Sequence, residues 1–247
     1  MPKQNIFDNE IFFDGYQKIR EREANANDLF EIPALLSLLP NLEGKRILDL
    51  GCGFGEHCKT FVNMGAERVV GIDISEKMLA VAKSKHADPK IAYLRLPIEE
   101  IGVLNESFDL VISSLALHYV EDFEGTVHAI WQKLSSNGLF VFSQEHPLVT
   151  SHSRGDRWTR DENGEKLHVN VSNYGIEGER STRWFIDGIK IYHRTFSSII
   201  NTLAKQGFSI EELIEPTPSP DLLLKYPEHR DLFHKPDFLL VKAKKKA

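Results

Sequence analysis

From Lys45 onward, short apolar runs alternate with stretches whose apolar residues recur every three or four positions. That alternation predicts a parallel sheet with crossover helices. RILDLG (46–51), RVVGID (68–73), IAYLRL (91–96), SFDLVISS (107–114) and LFVFSQE (139–145) read as strands. Between them, EHCKTFVNM (56–64) reads as a helix, and so does SEKMLAVAKSK, which Ser75 caps and whose Met78, Leu79 and Ala82 share one face. Val127, Ile130, Trp131 and Leu134 follow helical spacing, and Asn137-Gly138 is expected to end that helix because both residues tolerate positive φ. Ahead of the first strand, residues 27–39 read as an apolar helix lying on the sheet.

The pattern breaks between Pro147 and about His193. This stretch is polar and rich in Gly, Ser and Arg, with strand-like pieces in HVNVSNYG and STRWFIDGIKIYH that suggest a hairpin or small sheet. A long insertion in a compact domain is either disordered or a functional lid. Its interleaved Trp158, Tyr174, Trp184, Phe185 and Tyr192 argue for order. Regular structure resumes with Phe196, Ile199, Ile200 and Leu203 on one helical face, stopped by Gly207. FSIEELIEP (208–216) and PDFLLVKAK (236–244) read as two further strands joined by a Pro-rich loop.

The strongest chemical signal lies where the first strand turns into a helix, at Asp49-Leu50-Gly51-Cys52-Gly53-Phe54-Gly55. Glycines there allow positive φ and close approach of backbone to a ligand. Open α/β sheets bind ligands at the carboxyl ends of their strands, and an acidic residue ending the second strand, here Asp73, accepts hydrogen bonds from a ribose diol. The dinucleotide fingerprint G-x-G-x-x-G requires glycine at position 56, where this chain carries Glu56. Asp49 and Glu56 would repel a pyrophosphate. They suit S-adenosylmethionine, which carries a sulfonium and an ammonium and no phosphate. The chain thus divides into an N-terminal helical extension (1–44), a cofactor-binding core (45–146), a lid or substrate insertion (147–193) and the C-terminal part of the core (194–247).

ILDLGCGFGEH, VVGIDIS, SFDLVISSLALHYV and SNGLFVFSQEHP resemble the successive motifs of class I S-adenosylmethionine-dependent methyltransferases, in the bacterial group related to ubiquinone and menaquinone biosynthesis. The resemblance implies an α/β fold with a doubly wound, mostly parallel seven-stranded sheet, ordered 3-2-1-4-5-7-6 with the last strand antiparallel. It further implies that Gly51, Cys52 and Gly53 line the methionine and ribose, that Asp73 takes the ribose hydroxyls, and that Ile74 lies beside the adenine. Pro97, Ile98 and Glu99 fall on the adenine-contacting segment, with Leu96-Pro97 where the family often has aspartate. Ser114 and Leu115 approach the methionyl amino group. Tyr16 and Arg20 sit in an extension that often closes over the cofactor, where an arginine has the geometry to pair with a carboxylate.

In-line methyl transfer needs alignment, exclusion of water and, for some nucleophiles, a base. Histidine suits that task near neutral pH. His118 and His146 follow the fourth and fifth strands and are the candidate bases, ahead of His152 and His193, which bracket the lid. SSLALHY lacks the Asn-Pro-Pro-Tyr type of motif used on planar amino groups, and neither cysteine stands in a Pro-Cys pair. With a net charge of −6, this argues for a small-molecule acceptor and against nucleic acid. Arg154, Arg157, Arg160, Arg180 and Arg183 admit an anionic acceptor as well as a hydrophobic one. Cys52, His57 and Cys58 crowd one turn without a second ligand pair, so no metal is expected. Two cysteines, no signal-peptide pattern and no apolar run near the roughly 20 residues of a membrane span suggest a cytoplasmic protein without a membrane partner. A non-catalytic binder of the cofactor or a related nucleoside, and a nucleotide-dependent oxidoreductase, are the alternatives.

Overall fold

The computed structural model describes residues 3–21, 25–152 and 155–246. Two helices, α1 (Glu10–Arg20) and α2 (Ile32–Ser37), precede the first strand, and a wide helical turn over Asn27–Glu31 leads directly into α2. The alternating region follows as β1 (Arg46–Leu50), α3 (Glu56–Asn63), β2 (Arg68–Asp73), α4 (Glu76–Lys85), β3 (Ile91–Arg95), β4 (Phe108–Ser113), α5 (Phe123–Lys133) and β5 (Leu134–Glu145). Local chemistry sets several boundaries. Ser75 accepts from the Met78 amide at 3.1 Å to cap α4, and Asp122 accepts from the Gly125 amide at 2.8 Å to cap α5. Helix α5 stops at Lys133 rather than at Asn137-Gly138. Asn137 does take a positive φ of 62°, but inside a bulge of β5, where pairing with β4 jumps from Leu134 to Leu139.

The insertion is ordered around α6 (Pro147–Thr150) and two antiparallel hairpins. The first joins β6 (Trp158–Arg160) to β7 (Lys166–Val169), and the second joins β8 (Gly178–Trp184) to β9 (Ile186–His193). The chain then completes the sheet with α7 (Phe196–Gln206), β10 (Phe208–Ile214), α8 (Pro220–Lys225) and β11 (Phe238–Lys245). The segment expected to be a plain Pro-rich loop therefore holds α8 and a 3₁₀ turn over Pro227–Phe233, with proline and the Ser219 cap starting α8.

Sheet order is β10-β11-β5-β4-β1-β2-β3, with β11 antiparallel to both its neighbours. This is the expected 3-2-1-4-5-7-6 arrangement. Strand side chains alternate between faces. Leu48, Val70, Val111, Phe140 and Phe142 meet α5 and α7 on one side. Ile47, Val69, Leu110, Ile112 and Val141 meet α2, α3 and α4 on the other. Because β1 neighbours β2 on one edge and β4 on the other, the carboxyl ends of β1 and β4 flank the point where strand order reverses. A third apolar cluster joins Ile6 and Phe12 of the extension to Ile189 and Ile191 of β9, so the extension and the second hairpin lean on each other beside that point.

Candidate functional site

The glycine loop follows β1 directly. Gly51 and Cys52 both donate their amides to the Ile72 carbonyl at 2.9 Å, which ties the loop to the end of β2. Gly51, Gly53 and Gly55 all have positive φ, at 72°, 52° and 79°. Two of the three are also sterically obliged to be glycine. A Cβ on Gly51 would lie 2.6 Å from the Ala116 Cβ, and one on Gly55 would strike Tyr93 and Ala82. At Gly53 a Cβ would meet nothing within 4 Å, so backbone there borders open space that a ligand can approach closely.

Asp73 organises this cradle. One carboxylate oxygen accepts from the Gly53 amide at 2.9 Å and the other from the Ser75 amide at 2.8 Å. Burial raises its pKa, opposed by those amide bonds. Asp49 lies behind the loop rather than in it. Its side chain is buried and accepts from the Cys58 thiol at 3.2 Å, and burial pushes its pKa up to about 7. Asp49, expected with Glu56 to suit a cationic cofactor in the loop, thus has its carboxyl buried against α3.

The extension covers the cradle. Asp8, unremarked in the sequence, accepts from the Ser75 hydroxyl at 2.6 Å and the Lys77 amide at 3.1 Å at the start of α4. A carboxylate at a helix N-terminus is favourably placed. Tyr16 packs on Phe54 of the loop with ring centroids 5.8 Å apart, and burial pushes its hydroxyl up to about 12. Arg20, a candidate partner for a carboxylate, pairs within the protein, at 2.6 Å from Glu56 and 3.4 Å from Asp28. Ile74 presents its carbonyl to Arg95, 3.3 Å away. Pro97 opens a 3₁₀ turn over Ile98–Val103, with Ile98 packed into the core and Glu99 paired to Lys3 at 3.2 Å. Leu115 has a strained φ of 50° and donates its amide to Ser143, while the Ser114 hydroxyl donates to Glu31 at 2.9 Å. Glu31, wholly buried, carried no motif signal.

Both candidate bases have ring nitrogens engaged within the protein. The Glu145 amide donates to His118 Nδ1 at 3.4 Å, which leaves the proton on Nε2, and burial together with Arg194 lowers the pKa to about 3. His146 caps α6, accepting from the Leu148 amide at 3.1 Å through Nδ1, and its Nε2 lies 2.8 Å from Glu215. Both its ring nitrogens thus have partners within the protein. His193 is likewise held between Thr150 and the Tyr174 carbonyl, and His152 contacts the Gly155 carbonyl. The group at the end of β5 that titrates near neutrality is Glu145, whose carboxyl burial pushes up to about 7. Among the described residues, no three His, Cys, Asp or Glu side chains are grouped to hold a metal ion, and no helix is long and apolar enough to cross a membrane.

The cradle fits S-adenosylmethionine. It offers a backbone face without side chains at Gly53, a buried carboxylate at Asp73, and a second buried carboxylate beyond Ser114 with an unpartnered oxygen. The comparisons with known proteins agree. Residues 48–142 match the family model described as a methyltransferase domain. The chain is 41% identical to a crystallised S-adenosylmethionine-dependent methyltransferase from Mesorhizobium loti, covering 87% of this chain and 97% of that one at a TM-score of 0.81. It is also 41% identical to an uncharacterized protein of Haemophilus influenzae over 98% of both chains. A ubiquinone biosynthesis O-methyltransferase of Alkalilimnicola ehrlichii shares 37% identity over 42% of this chain and 43% of its own length. Loop, carboxylates, topology and relatives together make this chain a member of the class I S-adenosylmethionine-dependent methyltransferases.

Proposed function

We propose that the enzyme methylates a small acceptor with a flat, apolar portion, received between the extension and the second hairpin of the insertion. The observation that carries this reading is an aromatic cluster at that junction. Phe12 meets Trp184 and Phe185 with ring centroids at 5.3 and 5.5 Å, Tyr16 meets Trp184 at 5.9 Å, and Phe7 meets Tyr119 at 6.0 Å. Trp184 and Phe185 nevertheless keep 36% and 37% of their surface exposed, so the cluster has apolar area left for a ligand. The described arginines of the insertion have partners within it. Arg157 donates to Val149, Arg160 to Gly164 and Arg180 to Ile176, all backbone carbonyls, and Arg183 pairs with Asp187. They brace the insertion's own loops; Arg154 lies outside the described residues.

Bound in the cradle, S-adenosylmethionine supplies a methyl carbon already activated by its sulfonium. The chain's own task is then in-line alignment and exclusion of water. The glycine loop and Asp73 hold the nucleoside, and the extension covers it through Asp8 and Tyr16. Where the acceptor must lose a proton, Glu145 is the candidate base, since it ends β5 at the carboxyl side of the sheet and burial pushes its carboxyl up to about 7. Transfer of labelled methyl from the cofactor to a panel of small aromatic phenols, carboxylates and amines tests the reading. Trp184→Ala should raise the acceptor KM about tenfold and leave cofactor affinity within twofold. A folded variant with an unchanged acceptor KM would remove the hairpin from the acceptor site.

A further inference from the structure

Glu31 ends the wide turn that leads into α2, and none of its surface is exposed. Its Oε1 is doubly held, by the Ser114 hydroxyl just past β4 and by the Ser143 hydroxyl on β5. Its Oε2 is also buried and has no hydrogen-bond partner among the described residues. A buried carboxylate lacking a counter-charge is costly, and an unfilled lone pair adds to the cost. The cation that faces it does not answer this need, because Arg20 is committed to Glu56 and Asp28.

What is missing, then, is a compact cationic donor arriving from the crevice. The place is specific. Ser114 and Leu115 form the rim after β4, and the next residue, Ala116, touches the position of Gly51 in the cofactor loop. The cofactor carries such a donor on its amino-acid end. We propose that Glu31 binds the α-ammonium group of S-adenosylmethionine through Oε2, while Ser114 and Ser143 hold Oε1 and fix the direction in which the free oxygen points. The ammonium supplies both charge and N–H donors, and its arrival converts an uncompensated buried carboxylate into a paired one. Recognition of the cofactor's amino-acid end therefore comes in part from the segment ahead of the first strand, outside the strand-end motifs.

The proposal rests on the cofactor assignment and needs no acceptor, so its test is independent of the aromatic-cleft reading. Binding of S-adenosylhomocysteine is compared by calorimetry with binding of the analogue that lacks only the α-amino group, 5′-deoxyadenosyl 4-thiobutyrate. Wild type should bind S-adenosylhomocysteine at least tenfold more tightly than the analogue. Glu31→Gln should weaken S-adenosylhomocysteine at least tenfold and leave the analogue within twofold, collapsing the difference. Glu31→Met, neutral and of similar volume, should do the same. Glu31→Gln removes the charge but keeps an acceptor oxygen for Ser114 and Ser143, and should leave the ligand-free melting temperature close to wild type, whereas Glu31→Met also strips those hydroxyls of their acceptor and should lower it. Equal binding of the two ligands by wild type would overturn the assignment. Equal weakening of both ligands by the variants, or unchanged affinity for S-adenosylhomocysteine, would overturn it too.

Discussion

Asp73→Ala is the substitution whose consequences the structure spells out most fully. In the free protein it strips the acceptor from the Gly53 and Ser75 amides, now bonded at 2.9 and 2.8 Å. A hydrogen bond to a charged group contributes about 1.5–3 kcal/mol, so the two together contribute about 3–6 kcal/mol to holding the loop against α4. Relief from burying the carboxylate offsets part of that loss. Asp73→Asn keeps the volume but has one acceptor oxygen for two donors, so its stability should fall between wild type and alanine. For the bound state, each ribose hydrogen bond lost should cost about 1.5–3 kcal/mol, or roughly ten- to a hundredfold in affinity. Calorimetric titration with S-adenosylhomocysteine, alongside thermal unfolding of each variant, measures both effects. Titration with the 2′-deoxy analogue separates them, because a direct ribose contact predicts a smaller loss for that ligand, whereas a disordered loop predicts the same loss for both. A folded alanine variant with wild-type affinity for S-adenosylhomocysteine would refute the ribose role.

Other positions in the site should respond in distinguishable ways. Gly51→Ala places a Cβ 2.6 Å from Ala116 and should lower the melting temperature, whereas Gly53→Ala meets no neighbouring atom and carries only the strain of a φ of 52°, so it should cost less stability while weakening S-adenosylhomocysteine binding; normal binding by a folded Gly53→Val variant would undo the cradle. Asp49 has its folded pKa raised to about 7, above its unfolded value near 3.9, so its neutral form is favoured on folding and stability is lost as pH rises between those values, by up to about 1.4 kcal/mol per pH unit. Unfolding of Asp49→Asn against wild type from pH 4 to 8 should show the variant's relative stability growing up to about pH 7 and then levelling; a flat difference would mean the carboxyl is not perturbed. Single-turnover rates should rise with pH through about 7 in wild type, flatten in Glu145→Gln, and change less than tenfold in His118→Asn, since the His118 lone pair is already engaged. A larger loss in the histidine variant than in the glutamate variant would reverse that assignment.

Local information was enough for the framework. The 2-residue and 3.6-residue periods, the Ser75 cap and the Gly207 stop are properties of neighbouring residues, and the glycine spacing before Glu56 distinguished the ligand class because steric and charge requirements act within one turn. The end of α5 was misplaced by local reasoning. Asn137 tolerates positive φ in a helix cap and in a strand bulge alike, and only pairing with β4 decides between them. The partners of the histidines were hidden for a related reason. Position after a strand was visible in the chain, but whether a ring nitrogen is free depends on the Glu145 amide for His118 and on distant Glu215 for His146. Long-range packing also decided the parts of the site that carried no motif. Asp8 meets Ser75 across 67 residues, and Glu31 meets Ser143 across 112. A carboxylate on an otherwise ordinary helical turn acquires chemical meaning only when folding removes its water and leaves one oxygen without a partner.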